Sequence, residues 1–163
     1  MRAFFYISAL LAMGVVGVGG FILPDPAAVH FTGAGNVNGW MPRWQFLSFM
    51  TVMLLVLIVL FWGIRLLLPR IPVWMFNLPH KDYWFAPERR EATFEIVRAN
   101  IDRIGGATML FMTAMLILSY VANLSQPPKL DSRLFWPVLI VYVVYVLGES
   151  LYSFWRFRLP RDE

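Results

Sequence analysis

The last apolar segment of the chain carries the clearest stripe of side chains that could do chemistry. Its members follow steps of three and four residues, so a helix places them on one face: Tyr142, Tyr145, Glu149 and Tyr152. Glu149 is the only carboxylate inside any apolar segment, and Arg65 is expected at a similar depth. An acid within a membrane normally faces the protein interior and has a partner. The stripe predicts either a packing bond from Glu149 to Arg65 or a tyrosine, or a site for a proton, cation or ligand.

A second candidate is the segment PDPAAVHFTGAGNVNGW, which contains one histidine among glycines and asparagines. Its characteristic residues are Pro24, His30, Phe31, Gly35, Asn38, Gly39 and Trp40. Glycine and asparagine supply turns and local hydrogen bonds, and the two aromatic residues can fold the segment onto neighbouring helix ends. This pattern favours a structured loop in which His30 is a hydrogen-bonding residue over one in which it binds a ligand or senses pH.

Other catalytic patterns are scarce. The chain has no cysteine, and its two histidines, His30 and His80, are predicted on opposite sides of a membrane, so they cannot share a metal ion. The glycine-rich segment lacks the strand, helix and lysine of a phosphate-binding loop. We therefore expect a protein that is not an enzyme and that needs no metal or cofactor.

Composition identifies the elements that must position these residues. Of the 163 residues, 59% are hydrophobic and 15% are charged, whereas a typical soluble domain has about 25% charged residues. Four apolar segments are long enough to cross a hydrocarbon core of about 30 Å. We predict an all-α integral membrane protein with four transmembrane helices in an up-down bundle, forming one membrane domain over residues 1–163. The predicted spans are 4–23, 46–68, 104–124 and 134–155, joined by an outer loop 24–45, a cytoplasmic connection 69–103 and an outer turn 125–133.

The distribution of basic residues sets the predicted orientation. Eleven of the 14 lysine and arginine residues fall at the termini or in the middle connection, Arg161 among them, and only Arg43, Lys129 and Arg133 fall elsewhere. Because short cytoplasmic loops are enriched in basic residues, both termini are predicted in the cytoplasm. The net charge of +4 then indicates contact with the inner leaflet of a bacterial cytoplasmic membrane rather than with nucleic acid.

Two features bear on packing and partners. Apolar residues recur at helical spacing in the second half of the connection, at Phe94, Val97, Ile101 and Ile104, which predicts an amphipathic cytoplasmic helix before the third span. Its default place is the membrane surface, with a partner docked on its charged face as the alternative. The first span also presents a glycine face that could pack another helix or a second copy of the chain, formed by Gly14, Gly17 and Gly20.

The outer segment resembles a bacterial membrane family named domain of unknown function (DUF1648), which occurs in immunity proteins of the sporulation-delay-toxin type. The shared pattern is a span ending in Leu-Pro, a His-aromatic pair, a glycine turn and an Asn-Gly-aromatic element. The family commonly has proline and then Asn or Asp where this chain has Ala28 and Thr32.

A second stretch, FNLPHKDYWFAPERREAT, is similar to the cytoplasmic connection of uncharacterised members of the same group. The matching residues are Asn77, Pro79, Lys81, Asp82, Tyr83, Trp84, Ala86, Pro87, Glu88, Arg89 and Arg90. The resemblance implies a shared membrane architecture, and an immunity role in some members.

Two functions follow as expectations. The first is a non-enzymatic inner-membrane protein that binds a toxin or another membrane protein, in immunity or envelope stress. The second is a small transporter, channel accessory or ligand sensor that uses Glu149 and the tyrosine stripe.

Overall fold

A computed structural model describes residues 2–159, a range that excludes Arg161. It contains five helices and one two-stranded sheet: α1 Arg2–Ile22, β1 Ala27–Phe31, β2 Val37–Met41, α2 Arg43–Leu67, α3 Lys81–Trp84, α4 Arg90–Leu124 and α5 Ser132–Arg156. Short 3₁₀ turns at Leu68–Arg70 and Val73–Met75 follow α2. Four of the helices, all except α3, are long and apolar enough to cross a membrane. The protein is thus an all-α membrane protein with a small added sheet.

Helices α1, α2 and α4 form the core, and successive helices run in opposite directions. Near one end, Gly105 of α4 lies against Phe5 of α1 and Phe61 of α2. Near the other end, Gly19 of α1 lies against Leu47 of α2 and Tyr120 of α4. The fully buried side chains between them include Ala12, Leu54 and Met109.

Helix α5 lies outside this core. It packs on α4, and none of its residues is buried. The Asp131 side chain caps its first turn by accepting a hydrogen bond from the Arg133 N–H, at 2.9 Å. In a membrane, most of the α5 surface therefore faces lipid or a partner.

The cytoplasmic connection differs from the prediction of a helix on the membrane surface. Helix α4 runs for 35 residues without a break, so the amphipathic part is its first section and not a separate element. The side chains of Phe94, Val97 and Ile101 pack against an apolar cluster formed by Leu68 and Phe85 of the connection. The default placement at the membrane surface is therefore wrong, because residues 68–85 cover the apolar stripe that would have contacted lipid.

Close helix contact also uses a different glycine from those predicted. No atom lies within 4 Å of a Cβ built at Gly14 or Gly17, and one built at Gly20 touches only the Leu47 side chain at 4.0 Å. At Gly19 an added Cβ would overlap the Tyr120 ring and hydroxyl and the Leu47 side chain. The glycine face predicted for helix packing is thus largely open, and Gly19 is the residue that lets α1 approach α2 and α4.

We expect Gly19→Ala to destabilise the protein by about 1 to 2 kcal/mol, because its methyl group overpacks the contact with Tyr120 and Leu47. Gly17→Ala is the matched control: it adds the same methyl group to the same helix in open space, so it should be neutral or slightly stabilising. Thermal unfolding of both variants in detergent micelles measures the difference. Equal midpoints would show that Gly19 is not a packing position.

Candidate functional site

The outer loop is a β-hairpin, which the sequence analysis did not predict. Strands β1 and β2 pair antiparallel, with Ala28 opposite Trp40 and His30 opposite Gly39. At the tip, the Thr32 N–H donates to the Asn36 carbonyl and the Gly35 N–H donates to the Thr32 carbonyl, both at 2.8 Å. Gly35 has φ of 85°, a left-handed conformation that favours glycine. The turn residues were foreseen, but the two strands between them were not.

The hairpin docks on the outer turn between α4 and α5. The Leu130 N–H donates to the Gly35 carbonyl at 2.9 Å, and the Ser132 hydroxyl donates to the Gly33 carbonyl at 3.2 Å. A side chain at position 35 would overlap the Leu130 carbonyl, so this approach requires glycine there. The hairpin and residues 125–133 together form one structure at one end of the helices, which we call the cap.

Asn123 fixes the cap to α4. Its Oδ1 accepts a hydrogen bond from the Ala28 N–H at 2.7 Å, and its Nδ2 donates to the Ala28 carbonyl at 2.8 Å. Both bonds are buried. A strand backbone thus satisfies the buried side chain of this asparagine. A proline at position 28, as in the resembling family, has no N–H and could make only one of these bonds.

The remaining signature residues divide between structural contacts and exposure. His30 Nδ1 is hydrogen-bonded to Asn38 Oδ1, so the histidine has the kind of bond predicted for it. Gly39 lies against the His30 Cβ, where a larger residue would clash. Phe31 points inward beneath the cap, but Trp40 remains 52% exposed. Trp40 borders an open groove together with Ile22 and Leu124, the last residues of α1 and α4.

The hairpin is also tied to the start of α2. The Asp25 carboxylate accepts a hydrogen bond from the Arg43 N–H at 3.1 Å, and the Arg43 guanidinium donates to the Leu23 carbonyl at 3.0 Å. These contacts join the end of α1 to the first turn of α2. Trp40 lies beside them in an open groove that also contains Pro24.

Charged residues form a second polar region, near the ends of the helices opposite the cap. Arg103 Nε donates to Glu149 Oε2 at 2.9 Å, which joins α4 to α5. Arg65 Nε lies 3.0 Å from Asp102 Oδ1, without a hydrogen-bond angle, and this ion pair joins α2 to α4. Of the two predicted partners of Glu149, Arg65 is therefore wrong, whereas a tyrosine of the stripe, Tyr145, does contact its carboxylate. The observed partners, Arg103 for Glu149 and Asp102 for Arg65, both lie on α4, at positions that the sequence analysis placed in the connection 69–103.

The tyrosine stripe is not a single site. Tyr142 stacks on Phe111 with ring centroids 4.3 Å apart, and its hydroxyl is 3.0 Å from the Thr108 hydroxyl. Tyr145 interacts with the Glu149 carboxylate. Tyr152 instead accepts a hydrogen bond from Arg156 at 3.2 Å, on the exposed side. The three tyrosines of the stripe thus contact three different sets of residues.

One further polar pair lies in the same layer. The Asn100 amide donates to the Ser153 hydroxyl, again between α4 and α5. Asn100 Oδ1 is buried and has no hydrogen-bond partner among the described residues. No group of three or more His, Cys, Asp or Glu side chains within residues 2–159 could hold a metal ion.

The cytoplasmic motif folds against the end of α5. Trp84 Nε1 donates to the Phe157 carbonyl at 2.8 Å, and the two rings meet edge to face. The Arg89 guanidinium lies 3.9 Å from the centroid of the Tyr83 ring, and the Lys81 ammonium is 3.5 Å from the Trp74 carbonyl. The exposed members are Asn77, Asp82, Pro87, Glu88 and Arg90, and Pro79 is half-buried. The motif thus holds the chain beyond α5 against the connection.

A partly open apolar cavity of about 180 Å³ lies beneath the cap. Phe31 of the hairpin and Leu130 of the outer turn form its outer wall, and Met50, Met112 and Phe135 line it from α2, α4 and α5. It lies between α2 and α5, which both pack on α4 but not closely on each other.

Comparison with known families gives one match. The model of the family described as Domain of unknown function (DUF1648) matches residues 7–55, so the chain resembles that family over most of α1, the hairpin and the first half of α2. No curated protein and no solved structure matches the chain. The cytoplasmic motif and the ion pairs lie outside the matched region.

We expect Asn123→Ala to lower the free energy of unfolding by about 2 to 4 kcal/mol, because both backbone groups of Ala28 lose their buried partner. Backbone amides of residues 27–41 should also exchange with solvent much faster than in the wild type. Asn77→Ala, at an exposed asparagine, is the control and should change neither quantity. Hydrogen exchange followed by mass spectrometry measures the effect, and unchanged protection of the hairpin would contradict the proposed clamp.

Glu149→Gln should destabilise the protein by about 2 to 4 kcal/mol, since it leaves the Arg103 guanidinium without its counter-charge in a partly buried site. Exchanging the two residues, in the double variant Arg103→Glu and Glu149→Arg, should recover much of that loss. Thermal unfolding in micelles compares the single and double variants. A double variant no more stable than Glu149→Gln would rule out pairing as the main role of these residues.

Proposed function

We propose that this chain is a non-enzymatic membrane protein that binds a partner through its outer cap. Its role is that of an immunity factor or an envelope-stress accessory in a bacterial cytoplasmic membrane, with both termini in the cytoplasm. The partner is a secreted toxin or another membrane protein. Support for the immunity role comes from the match of residues 7–55 to a family of unknown function together with the resemblance described above.

The observation that carries the proposal is the construction of the cap. Its backbone is held at Asn123, at Leu130 and at Arg43, so it is attached to α4, the outer turn and α2. Trp40 is exposed on this fixed support, and exposed aromatic residues on rigid surfaces are typical of the centres of protein interfaces. The exposed side chains of His30 and Asn38 are hydrogen-bonded to each other. This arrangement suits binding rather than catalysis.

A transporter or sensor that uses Glu149 is the second candidate. It is favoured by the buried Asn100 oxygen, which has no hydrogen-bond partner within residues 2–159 and lies near the Arg103–Glu149 pair. The pairing of Glu149 with Arg103 supports a structural role instead. If the double variant with exchanged charges folds and keeps full biological activity, a specific chemical role for the Glu149 carboxylate is excluded.

The proposed role is tested by loss of protection in the organism that encodes the chain. Deleting the gene should raise sensitivity to a toxin encoded beside it or to envelope stress, and the wild-type gene should restore resistance. Trp40→Ala should restore at most roughly a tenth of the protection, because removing a central interface tryptophan costs at least a factor of ten in affinity. Survival curves at increasing toxin dose measure this.

Trp44→Ala is the matched control, since Trp44 is also an exposed tryptophan but lies on the first turn of α2. It should protect as well as the wild type at equal protein level in the membrane. A deletion strain with unchanged sensitivity to both toxin and envelope stress would overturn the proposed function. Equal protection by both tryptophan variants would place the binding surface elsewhere than the cap.

A further inference from the structure

Two adjoining spaces at the outer end of the molecule differ in chemistry. The first is the cavity of about 180 Å³ beneath the cap, whose walls are almost entirely apolar and include Met50 and Met112. The second is a polar, open pocket of about 510 Å³ on the outer turn. Leu130 forms part of the wall of both. A ligand with an apolar chain and a polar head could therefore occupy the two spaces together.

The polar pocket is cationic. Lys129 and Arg133 are both exposed and line it, and neither forms an ion pair with another described residue. The Asp131 carboxylate also lines the pocket and accepts the Arg133 N–H as the cap of α5, so the three charged side chains leave a net charge of +1. By the sequence, these are two of only three basic residues on the outer side of the protein. Their position at the mouth of an apolar cavity is suited to an anionic group attached to an acyl chain.

The cavity is deep enough for part of a chain. Its lining extends from Leu130 in the outer turn to Met112, which lies 12 positions before Leu124, the last residue of α4. Twelve helical residues span about 18 Å at 1.5 Å per residue, which reaches the middle of the hydrocarbon layer. An apolar cavity of about 150 Å³ already holds a small hydrocarbon, so this larger one has room for an acyl segment.

We propose that the cavity and the cationic pocket form one site for an anionic phospholipid of the outer leaflet. One acyl chain lies under the cap, between α2 and α5, and the phosphate lies against Lys129 and Arg133. The lipid fills the space between α2 and α5, and it supports the inner surface of the hairpin at Phe31. This inference is independent of the proposed partner and of its identity.

The test uses the full chain in nanodiscs of phosphatidylcholine that contain a minor fraction of phosphatidylglycerol with a diazirine in its acyl chain. After illumination, peptide mass spectrometry locates the adducts. We expect them to be several-fold enriched on 112–119 and 130–135 relative to 52–60, an apolar exposed face of α2 without cations. Excess unlabelled phosphatidylglycerol should remove the enrichment, and excess phosphatidylcholine should not.

Two variants separate the head-group and chain contributions. Replacing Lys129 and Arg133 by glutamine should reduce the enrichment on the order of tenfold, because two surface charges lose their attraction to the phosphate. Ser119→Phe fills the cavity and should abolish the enrichment of adducts there. Val121→Phe adds similar bulk at an exposed position of the same helix and should leave the enrichment unchanged. The glutamine variant alters only exposed side chains, so it remains informative if Ser119→Phe fails to fold.

Three outcomes overturn the proposal. The first is equal labelling of the cavity and the control face in the wild type. The second is labelling of the cavity that is the same in the glutamine variant. The third is a cavity that cross-links to a second copy of the chain in place of lipid, which would make this space a protein interface.

Discussion

Three polar side chains of α4 have their partners on neighbouring elements, and surrounding hydrocarbon would offer none. The partners are the backbone of β1 for Asn123, α2 for Asp102 and α5 for Arg103. Each partner lies in a different element and at a defined level along α4, so this one helix fixes the positions of three other elements. Apolar packing brings the elements together, but these few bonds determine where each must lie along α4.

The cap depends on this arrangement more than on its own sequence. The region matching the known family, residues 7–55, includes both strands of the hairpin. Two of the groups that hold the hairpin in place, Asn123 and Leu130, lie far along the chain. A hairpin of two short strands is only marginally stable by itself. The matched region therefore needs the second half of the chain to acquire its structure.

Sequence reasoning predicted the four long helices, because runs of about 20 apolar residues allow few alternatives. It also predicted the turn residues of the outer loop and a hydrogen bond for His30. It missed the hairpin strands, since AAVHF and VNGWM have no alternation of polar and apolar residues. It missed the partner of Glu149 because Arg103 was assigned to the connection, whereas α4 begins 13 residues earlier, at Arg90. Tertiary contacts decide such points, and they are not encoded in local spacing.

The attachment of α5 by one side has a consequence for how its sequence can change. A buried helix tolerates few changes in side-chain volume, because its neighbours fill the surrounding space. Since α5 buries none of its residues, lipid adapts to most of its surface, and side-chain size there is nearly unconstrained. Its freedom is limited instead by polarity and by the few residues that face α4, such as Tyr142 and Glu149. Among related chains, the side chains of α5 are thus expected to vary in volume while staying hydrophobic. Relatives are therefore harder to recognise from the sequence of this helix than from the other three long helices.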